Sequence, residues 1–431
     1  CIESRFRGAA GWGGFAFLNG VMPAGETAPA ANWGTEPGAG FDLTGASRLS
    51  FYARGREGGE QVEFFMAGAG WSDDGRRLAP HADSSPKISL GTVALTAGWE
   101  RYTLNLKTAN LRSVLCGFGW GASALRNGGR EVVFYLDEIT YYLPRLGEPR
   151  FLLSYQTVPG DHAFDRMARN TAYLYDNAVA CIAFLAAGEY RRACLIADAM
   201  VYAMDNDRDY ADGRLKNAYQ AGDLALPPGW FTGNRLRTAR VPGWTDPATR
   251  RWYENPTHLG ITVGNQAWAM IALLQCYDAS GKTAGRYLDA AVRLGEWIER
   301  FCRDAEGPGG YLAGYEGWKG EHETRLTHKS TEHAADLYAA FSLLHRLLPD
   351  DARWGERAEH AYAFLVRMVD PAGGFFRTGT EADGVASSVL MPTLDCQIWP
   401  LLALGARGVP FAGALDTASA TMRSGAGFSF G

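Results

Sequence analysis

The sequence predicts two domains of different class, an antiparallel β-sandwich followed by a domain of paired α-helices. Short β-rich segments alternate with Gly, Asn and Asp turns up to about residue 142. Beyond a connector containing Pro and Gly, the apolar residues recur with the period of a helix instead. The predicted boundaries are 1–143 for the sandwich, 144–163 for the linker and 164–431 for the helical domain.

The composition is that of a globular protein with a large apolar core. Of 431 residues, 47% are hydrophobic and 21% are charged, and the formal net charge is −5. This balance excludes a disordered chain, and the lack of a Lys/Arg run argues against nucleic acid as a partner. No apolar stretch reaches the ~20 residues that a transmembrane helix needs. An enzyme or a binding protein remains as the expected class.

Six segments of the first domain show the alternation of half-buried strands. They are 48–53, 61–65, 87–90, 100–106, 114–120 and 132–139. Short strands at regular spacing, separated by turns, are typical of two antiparallel sheets packed face to face.

The second domain repeats one helical hairpin. Helices are predicted over 164–187, 189–204, 264–280, 283–303, 330–347, 352–369, 396–406 and 411–423. The first helices of the four pairs align without gaps, because 178–185 matches the segments that lie 89, 156 and 220 residues further on. Hairpins stacked in this way would put the first helix of each pair on an inner ring, with the polar residues that precede each apolar run at one end.

The alignment places polar residues in one layer at the start of the inner helices. Helix N-termini favour carboxylates and amides as caps, which is the simplest explanation for any one of them. The whole layer, flanked by Tyr173, Tyr175, Trp268 and Trp399, predicts a binding site. Its matched members are Asp176-Asn177, Asn265-Gln266, Glu332-His333 and Cys396-Gln397, with Asp395 one place earlier.

The segments around this layer resemble those of the six-hairpin (α/α) toroid glycoside hydrolases, without matching one family. They are 171–177, 264–268, 330–333 and 394–399. The chain supplies about four of the six hairpins, so we expect the toroid to be incomplete and truncated at its C-terminus. The first domain resembles the jelly-roll, galactose-binding-like carbohydrate-binding modules through 41–46, 49–55, 99–102 and 134–139.

The toroid resemblance implies hydrolysis of a polysaccharide or oligosaccharide, with no cofactor required. Such cleavage needs a protonated carboxyl beside the leaving oxygen and a second carboxylate that activates water or attacks the sugar. Glu332 is the expected general acid and Asp176 the expected base, with Asp395 as its substitute. Most hydrolases of this resemblance invert configuration, which needs the two carboxyls about 6.5–9.5 Å apart.

Further residues are predicted to contact the sugar, because aromatic faces pack on pyranose rings and polar groups bind hydroxyls. Glu316 is also a reserve catalytic candidate. In the first domain Trp12, Trp33 and Trp71 are available for stacking, whereas Trp120 is expected in the core. The predicted contacts in the helical domain are Tyr173, Tyr175, Asn177, Asp205, Asn265, Gln266, Trp268, Tyr315, Glu316, Trp318, Lys329, His333, Gln397 and Trp399.

The first residue and the remaining cysteines bear on location. Cys1 matches the lipid-bearing residue of mature bacterial lipoproteins, so an extracytoplasmic, lipid-anchored protein is one expectation, and an arbitrary chain boundary is the other. The resemblance of the first domain also implies a structural calcium, for which Asp137 and Glu3 are the candidates. The other six cysteines lack zinc spacing and are expected to be buried free thiols.

Two other functions fit the same residues. A polysaccharide lyase would use Tyr175 or His333 as its base, with Lys329, Arg214 and Arg235 as cations for a uronic acid carboxylate. A surface glycan-binding lipoprotein would hold the chain without cleaving it. Reducing ends alone would indicate hydrolysis, unsaturated ends a lyase, and no product a binding protein.

Overall fold

The computed structural model describes residues 1–8, 10–18, 20–21, 30–35, 40–70, 79–142, 149–157, 163–224, 239–245, 252–317, 323–390 and 392–430. The chain divides into two compact units. The β unit comprises Cys1–Gly147 with Thr157–Asp165 and Ala225–Thr238, and the helical unit comprises Glu148–Gln156, Arg166–Leu224 and Ala239–Gly431.

The β unit is built from two four-stranded antiparallel sheets, with strand orders β1-β8-β3-β6 and β2-β7-β4-β5. All six predicted strands are present. The sequence missed β1 and β2; in β2 the two glycines weaken the alternation of the strand. The strands are β1 (Ile2–Phe6), β2 (Trp12–Leu18), β3 (Arg48–Gly55), β4 (Gln61–Met66), β5 (Ile88–Ala94), β6 (Glu100–Asn105), β7 (Cys116–Ser123) and β8 (Val132–Tyr142).

Aromatic residues from both sheets form one core. The ring of Phe51 on β3 lies 4.7 Å from that of Phe64 on β4 and 4.9 Å from that of Phe118 on β7. Trp120 is 6% exposed and packs edge to face on Phe134, as expected for a core residue. Successive side chains of a strand point to opposite faces, so the aromatic residues of β7 fill the core while its glycines take the outer face.

The two calcium candidates are each paired with a cation. The carboxylate of Asp137 lies 3.0 Å from the amino group of Cys1, and that of Glu3 lies 2.8 Å from the guanidinium of Arg5. The described residues contain no group of three or more His, Cys, Asp or Glu side chains that could hold a metal ion. The structure therefore gives the expected calcium site no support.

The helical unit contains the predicted helix pairs. The inner helices α1, α3, α5 and α7 pack side by side in this order, and each is followed by a helix that packs on it. That the four pairs belong to an incomplete six-hairpin toroid stays a prediction. The helices are α1 (Leu174–Ala186), α2 (Tyr190–Asp205), α3 (Val263–Ala279), α4 (Gly285–Cys302), α5 (Thr331–Leu347), α6 (Arg353–Arg367), α7 (Leu394–Leu404) and α8 (Gly413–Thr421), with a 3-10 turn at Gly405–Phe411.

The first predicted helix, 164–187, is interrupted. A short helix over Ala163–Ala168 is followed by the strand Thr171–Tyr173, which pairs with Ala218–Gln220, and only then does α1 begin. The hydroxyl of Thr171 donates to the carbonyl of Met167 and so satisfies the end of the short helix. An extended entry also precedes α3, where Ile261–Thr262 pairs with the Gly314–Glu316 strand.

In the part of the chain that the structure describes, no single helix has both the length and the hydropathy of a membrane span. One bent pair, Leu394–Phe411 with Gly413–Thr421, meets that criterion only when its two segments are counted together across an angle of 102°.

Candidate active site

A cavity of about 580 Å³ lies at the N-terminal ends of the inner helices. Each inner helix contributes a polar residue to its wall: Asp176, Asn265, Glu332 and Asp395. Four of the residues that the sequence repeat placed in one layer therefore line one cavity. The remaining lining residues are Tyr155, Tyr173, Tyr175, Leu394, Ile398, Trp399 and Phe430.

The first turns of α5 and α7 fix the two central carboxyls. Ser330 caps α5, and its hydroxyl accepts a hydrogen bond from the backbone N–H of His333 at 3.3 Å. On α7, Asp395 accepts from the backbone N–H of Cys396 at 2.7 Å and from the hydroxyl of Thr393. The positive end of a helix dipole favours a carboxylate at such positions.

Burial raises the pKa of Glu332 to about 7, and the neighbouring carboxyl of Asp395, which also bonds to it, adds to the rise. One turn further along α5, Asp336 is only 4% exposed. Burial raises its pKa well above the usual range, and the charge of Glu332 adds to this effect. Close carboxyls in a medium of low polarity cannot all ionise. Near neutral pH this group of carboxyls therefore retains at least one proton.

Aromatic side chains surround these carboxyls. The rings of Tyr175, Trp268 and Trp399 lie 5.2–6.4 Å from one another. Tyr173 also faces the cavity, where its hydroxyl is held 2.8 Å from Nε2 of His258. Such walls exclude water and offer flat faces to a sugar ring. Burial also raises the pKa of Tyr175 to about 12, which makes its hydroxyl a poor base.

On α1 and α3 the residue after the cavity-lining position holds a loop, and on α7 the second residue after it does so. Its amide oxygen accepts from a backbone N–H, and its amide nitrogen donates to the carbonyl of the same loop residue. We call these contacts the amide clamps. They join Asn177 to Leu152 (2.7 and 3.1 Å), Gln266 to Leu215 (2.9 and 2.8 Å) and Gln397 to Phe376 (2.9 and 2.8 Å).

The amide clamps correct the expected role of Asn177, Gln266 and Gln397. All three side chains are at most 1% exposed, and they are bonded to backbone rather than facing the cavity. The equivalent residue of α5, His333, makes no such clamp, and its Nδ1 has no hydrogen-bond partner among the described residues. Burial lowers the pKa of His333 to about 4, so it is neutral at physiological pH.

The cations that a lyase would need are occupied elsewhere. The ammonium of Lys329 is fully buried and lies 2.5 Å from the carboxylate of Asp304. The guanidinium of Arg214 lies 2.6 Å from Asp212. Arg235 lies outside the described residues. Neither of the two described cations lines the cavity, so the structure gives the lyase alternative no support.

Four other predicted contacts do not line the cavity or cannot be located. Trp318, like Trp71 of the first domain, lies outside the described residues. The other three make contacts of their own: Asp205 with Arg293 (2.7 Å), Tyr315 with Trp297 (ring centroids 6.1 Å apart) and Glu316 with Thr257 (2.8 Å).

Sequence reasoning missed Asn217, which orients one side of the cavity. Its amide oxygen accepts from the side chain of Asn265 at 2.8 Å and from the backbone N–H of Thr262 at 2.9 Å. The loop that carries it is fixed by a buried ion pair, Lys216 with Asp207 at 2.5 Å. A lysine four residues after the Asp-rich stretch 205–212 was the available signal.

No protein-family model matches the chain, and no curated protein sequence matches it significantly. Similar solved structures include a D-mannose isomerase, with 16% identity over 57% of this chain and 57% of that chain at a TM-score of 0.39. A family 76 glycoside hydrolase, an α-mannanase from Bacteroides thetaiotaomicron, has 13% identity over 59% and 64% at 0.38. A rhamnosidase from Klebsiella oxytoca with rhamnose bound has 11% identity over 96% and 80% at 0.39.

These neighbours have (α/α) toroid-type folds, as the resemblance implied, and no single family is assigned. The chain spans 57% of the length of the isomerase and 64% of that of the mannanase. At TM-scores below 0.5 the similarities carry no chemistry, which rests on this chain's own residues.

We expect Gln266→Ala to lower the free energy of unfolding by about 2–4 kcal/mol, because it leaves the buried N–H and C=O of Leu215 unpaired. Asn265→Ala, the neighbouring substitution on the cavity wall, removes one hydrogen bond to Asn217 and should cost about 1 kcal/mol. Urea unfolding of both variants measures the difference, and equal losses would contradict the structural role of the clamp.

Proposed function

We propose that this chain is a glycoside hydrolase that acts on a polysaccharide or oligosaccharide. The observation that supports this proposal is the pair of carboxyls, Glu332 and Asp395, in an aromatic-walled cavity that also contains Asp176. One carboxyl with a pKa of about 7 beside others that can ionise is the equipment that glycosidic cleavage requires.

In the proposed reaction Glu332 is the general acid. Its protonated carboxyl donates to the glycosidic oxygen as the bond to the anomeric carbon breaks, and Glu332 becomes a carboxylate. The neighbouring Asp395 contributes to the high proton affinity that keeps Glu332 protonated before this step. A general acid is most effective when its pKa lies near the working pH.

Asp176 on α1 is the proposed base. The inner helix α3 lies between α1 and α5, the helix that carries Glu332. Asp176 would take a proton from water as the oxygen attacks the anomeric carbon from the face opposite the leaving group. This assignment predicts inversion of configuration, in which case the two carboxyls leave room for that water. Asp395, bonded to Glu332, leaves less room and is better suited to tuning the acid.

The polymeric substrate would place the enzyme outside the cytoplasm. Tyr173, Tyr175 and Trp399 line the cavity and offer faces for a pyranose ring, while Asn265 is placed to bind hydroxyls. A protein that holds glycan without cleaving it is the alternative outcome of the experiments below.

Glu332→Gln should lower kcat on a cleaved polysaccharide by about 10²–10⁴-fold, because the amide cannot supply the proton. The matched control is Glu316→Gln, since Glu316 bonds Thr257 and does not line the cavity. Release of reducing ends from a panel of bacterial and plant polysaccharides is the measurement. Full activity in Glu332→Gln would overturn the acid assignment, and binding without turnover by the wild type would overturn the hydrolase proposal.

The pH dependence should reflect the raised pKa of Glu332. The kcat profile should fall as pH rises through about 7, because the acid loses its proton. The same group stabilises the fold when protonated, and that contribution is lost between its unfolded value of 4.5 and about 7. Glu332→Gln should therefore match the wild type in stability at pH 5 and exceed it by about 1–3 kcal/mol at pH 8. Thermal unfolding at the two pH values tests this; an equal difference at both would contradict it.

We also propose that the β unit binds glycan, at a groove of about 700 Å³ on the outer face of the β2-β7-β4-β5 sheet. Two aromatic side chains of the groove are more than half exposed: Trp12 (82%) and Trp33 (57%). Exposed aromatic clusters of this kind mark interaction surfaces.

Glycines without side chains form part of the floor of the groove. Gly121 of β7 lines it, and a methyl group at Gly119 would lie 2.6 Å from the ring of Phe65, which covers that residue. At one side the ammonium of Lys87 lies 2.8 Å from the carboxylate of Glu63 and 4.4 Å from the centre of the Phe65 ring. Flat rings beside a polar pair suit a sugar, which has both apolar C–H faces and hydroxyls.

Trp12→Ala should weaken binding to an insoluble polysaccharide about tenfold, because loss of one stacking contact costs about 1–1.5 kcal/mol. Leu125→Ala is the matched control, since Leu125 is 90% exposed in the same unit and does not line the groove. Depletion from solution by pelleted polysaccharide measures binding, and kcat on a soluble oligosaccharide should not change. Equal retention of the two variants would show that the groove is not the binding surface.

A further inference from the structure

Two buried cysteines on neighbouring inner helices face each other. Cys181 lies on α1 and Cys276 on α3, and neither side chain is exposed to solvent. Their sulfur atoms are 3.4 Å apart. The thiol of Cys181 also lies 3.5 Å from the carbonyl of Ala193 on α2. The proposed hydrolase reaction uses neither of these thiols.

The contact is close to what a covalent bond requires. A disulfide has an S–S distance of about 2.05 Å, so the two sulfurs would have to approach each other further to form one. Helices α1 and α3 pack directly against each other, and this packing brings the two sulfurs together. Among the described cysteines, this is the pair whose sulfurs are in contact.

We propose that Cys181 and Cys276 form a disulfide when the chain folds in an oxidising compartment. The cross-link would join the inner helix that carries Asp176 to the one that carries Asn265, and it would enclose α2. The inference does not depend on the hydrolase proposal, because the thiols lie outside the cavity.

The oxidant is a small or protein disulfide, such as glutathione disulfide. The thiolate of one cysteine attacks it, which forms a mixed disulfide and releases one glutathione thiolate. The second cysteine then attacks the mixed disulfide, forms the Cys181–Cys276 bond and releases the second glutathione. The two protons lost by the cysteines are taken up by the two glutathione thiolates, so two thiols are oxidised and one disulfide is reduced.

Oxidation is expected during folding rather than afterwards. The hydrogen bond with the Cys181 thiol, followed by burial, raises the pKa of Cys276 well above that of a free thiol. The reactive thiolate is therefore not available in the folded protein. Once formed, the bond would be shielded from reductants by the same burial. The cross-link closes a long loop, and such loops gain stability because the unfolded chain loses freedom.

The test is a thiol count on wild-type protein refolded in a mixture of reduced and oxidised glutathione. The chain has seven cysteines, so titration in guanidinium should find five thiols if the disulfide forms and seven if it does not. Digestion without reductant should yield a peptide that joins the Cys181 and Cys276 segments. The folded, oxidised protein should also have a higher urea midpoint than the same protein after reduction.

Two variants make the test specific. Cys276→Ala should retain six free thiols, whereas Cys302→Ala, which removes another buried cysteine, should retain four because the pair still forms. Protein exported to the periplasm of an expression host gives a second count that needs no refolding. Seven thiols in both wild-type preparations, or a linked peptide containing Cys194 in place of Cys181, would overturn the proposal.

Discussion

The helical unit depends on hydrogen bonds between buried side-chain amides and the backbone of loops. Each amide clamp pairs with one N–H and one C=O group of a loop. Without the clamp these groups would be buried without partners, which would cost several kcal/mol. Because the clamp sits in the first turn of an inner helix, it also fixes where that turn begins. The preceding residue is then directed into the cavity, as Asp176 and Asn265 are.

The cavity concentrates charge where solvation is poor. Glu332, Asp395 and Asp336 lie within two turns of two helices, and burial is the largest cause of the raised pKa of Glu332 and Asp336. Ionising these carboxyls at high pH lowers the stability of the fold. The same raised pKa keeps a proton donor in the cavity near neutral pH. The chemistry proposed for this chain and the strain on its fold thus arise from one arrangement of residues.

The sequence predicted the parts of this arrangement that repeat. A gapless alignment of four apolar runs identified the cavity layer, because inner helices with equivalent packing begin at equivalent places. It did not separate Asp176, which faces the cavity, from Asn177, which is buried against a loop, since both are ordinary residues for a helix start. Nor did it find Tyr155 or Asn217, which lie on loops that pack against the ends of the inner helices. The local sequence pattern carries no information about where such loops pack.

The start of each inner helix divides two tasks between nearby positions. Three of the four hairpins retain a clamp amide, while the cavity-lining residue varies between hairpins: Asp176, Asn265, Glu332 and Asp395. A mutation at the cavity-lining position changes the chemistry of the cavity and leaves the amide clamp in place, whereas a mutation of the clamp amide disturbs the fold first. A protein built in this way can acquire a new substrate by single substitutions that leave its architecture standing.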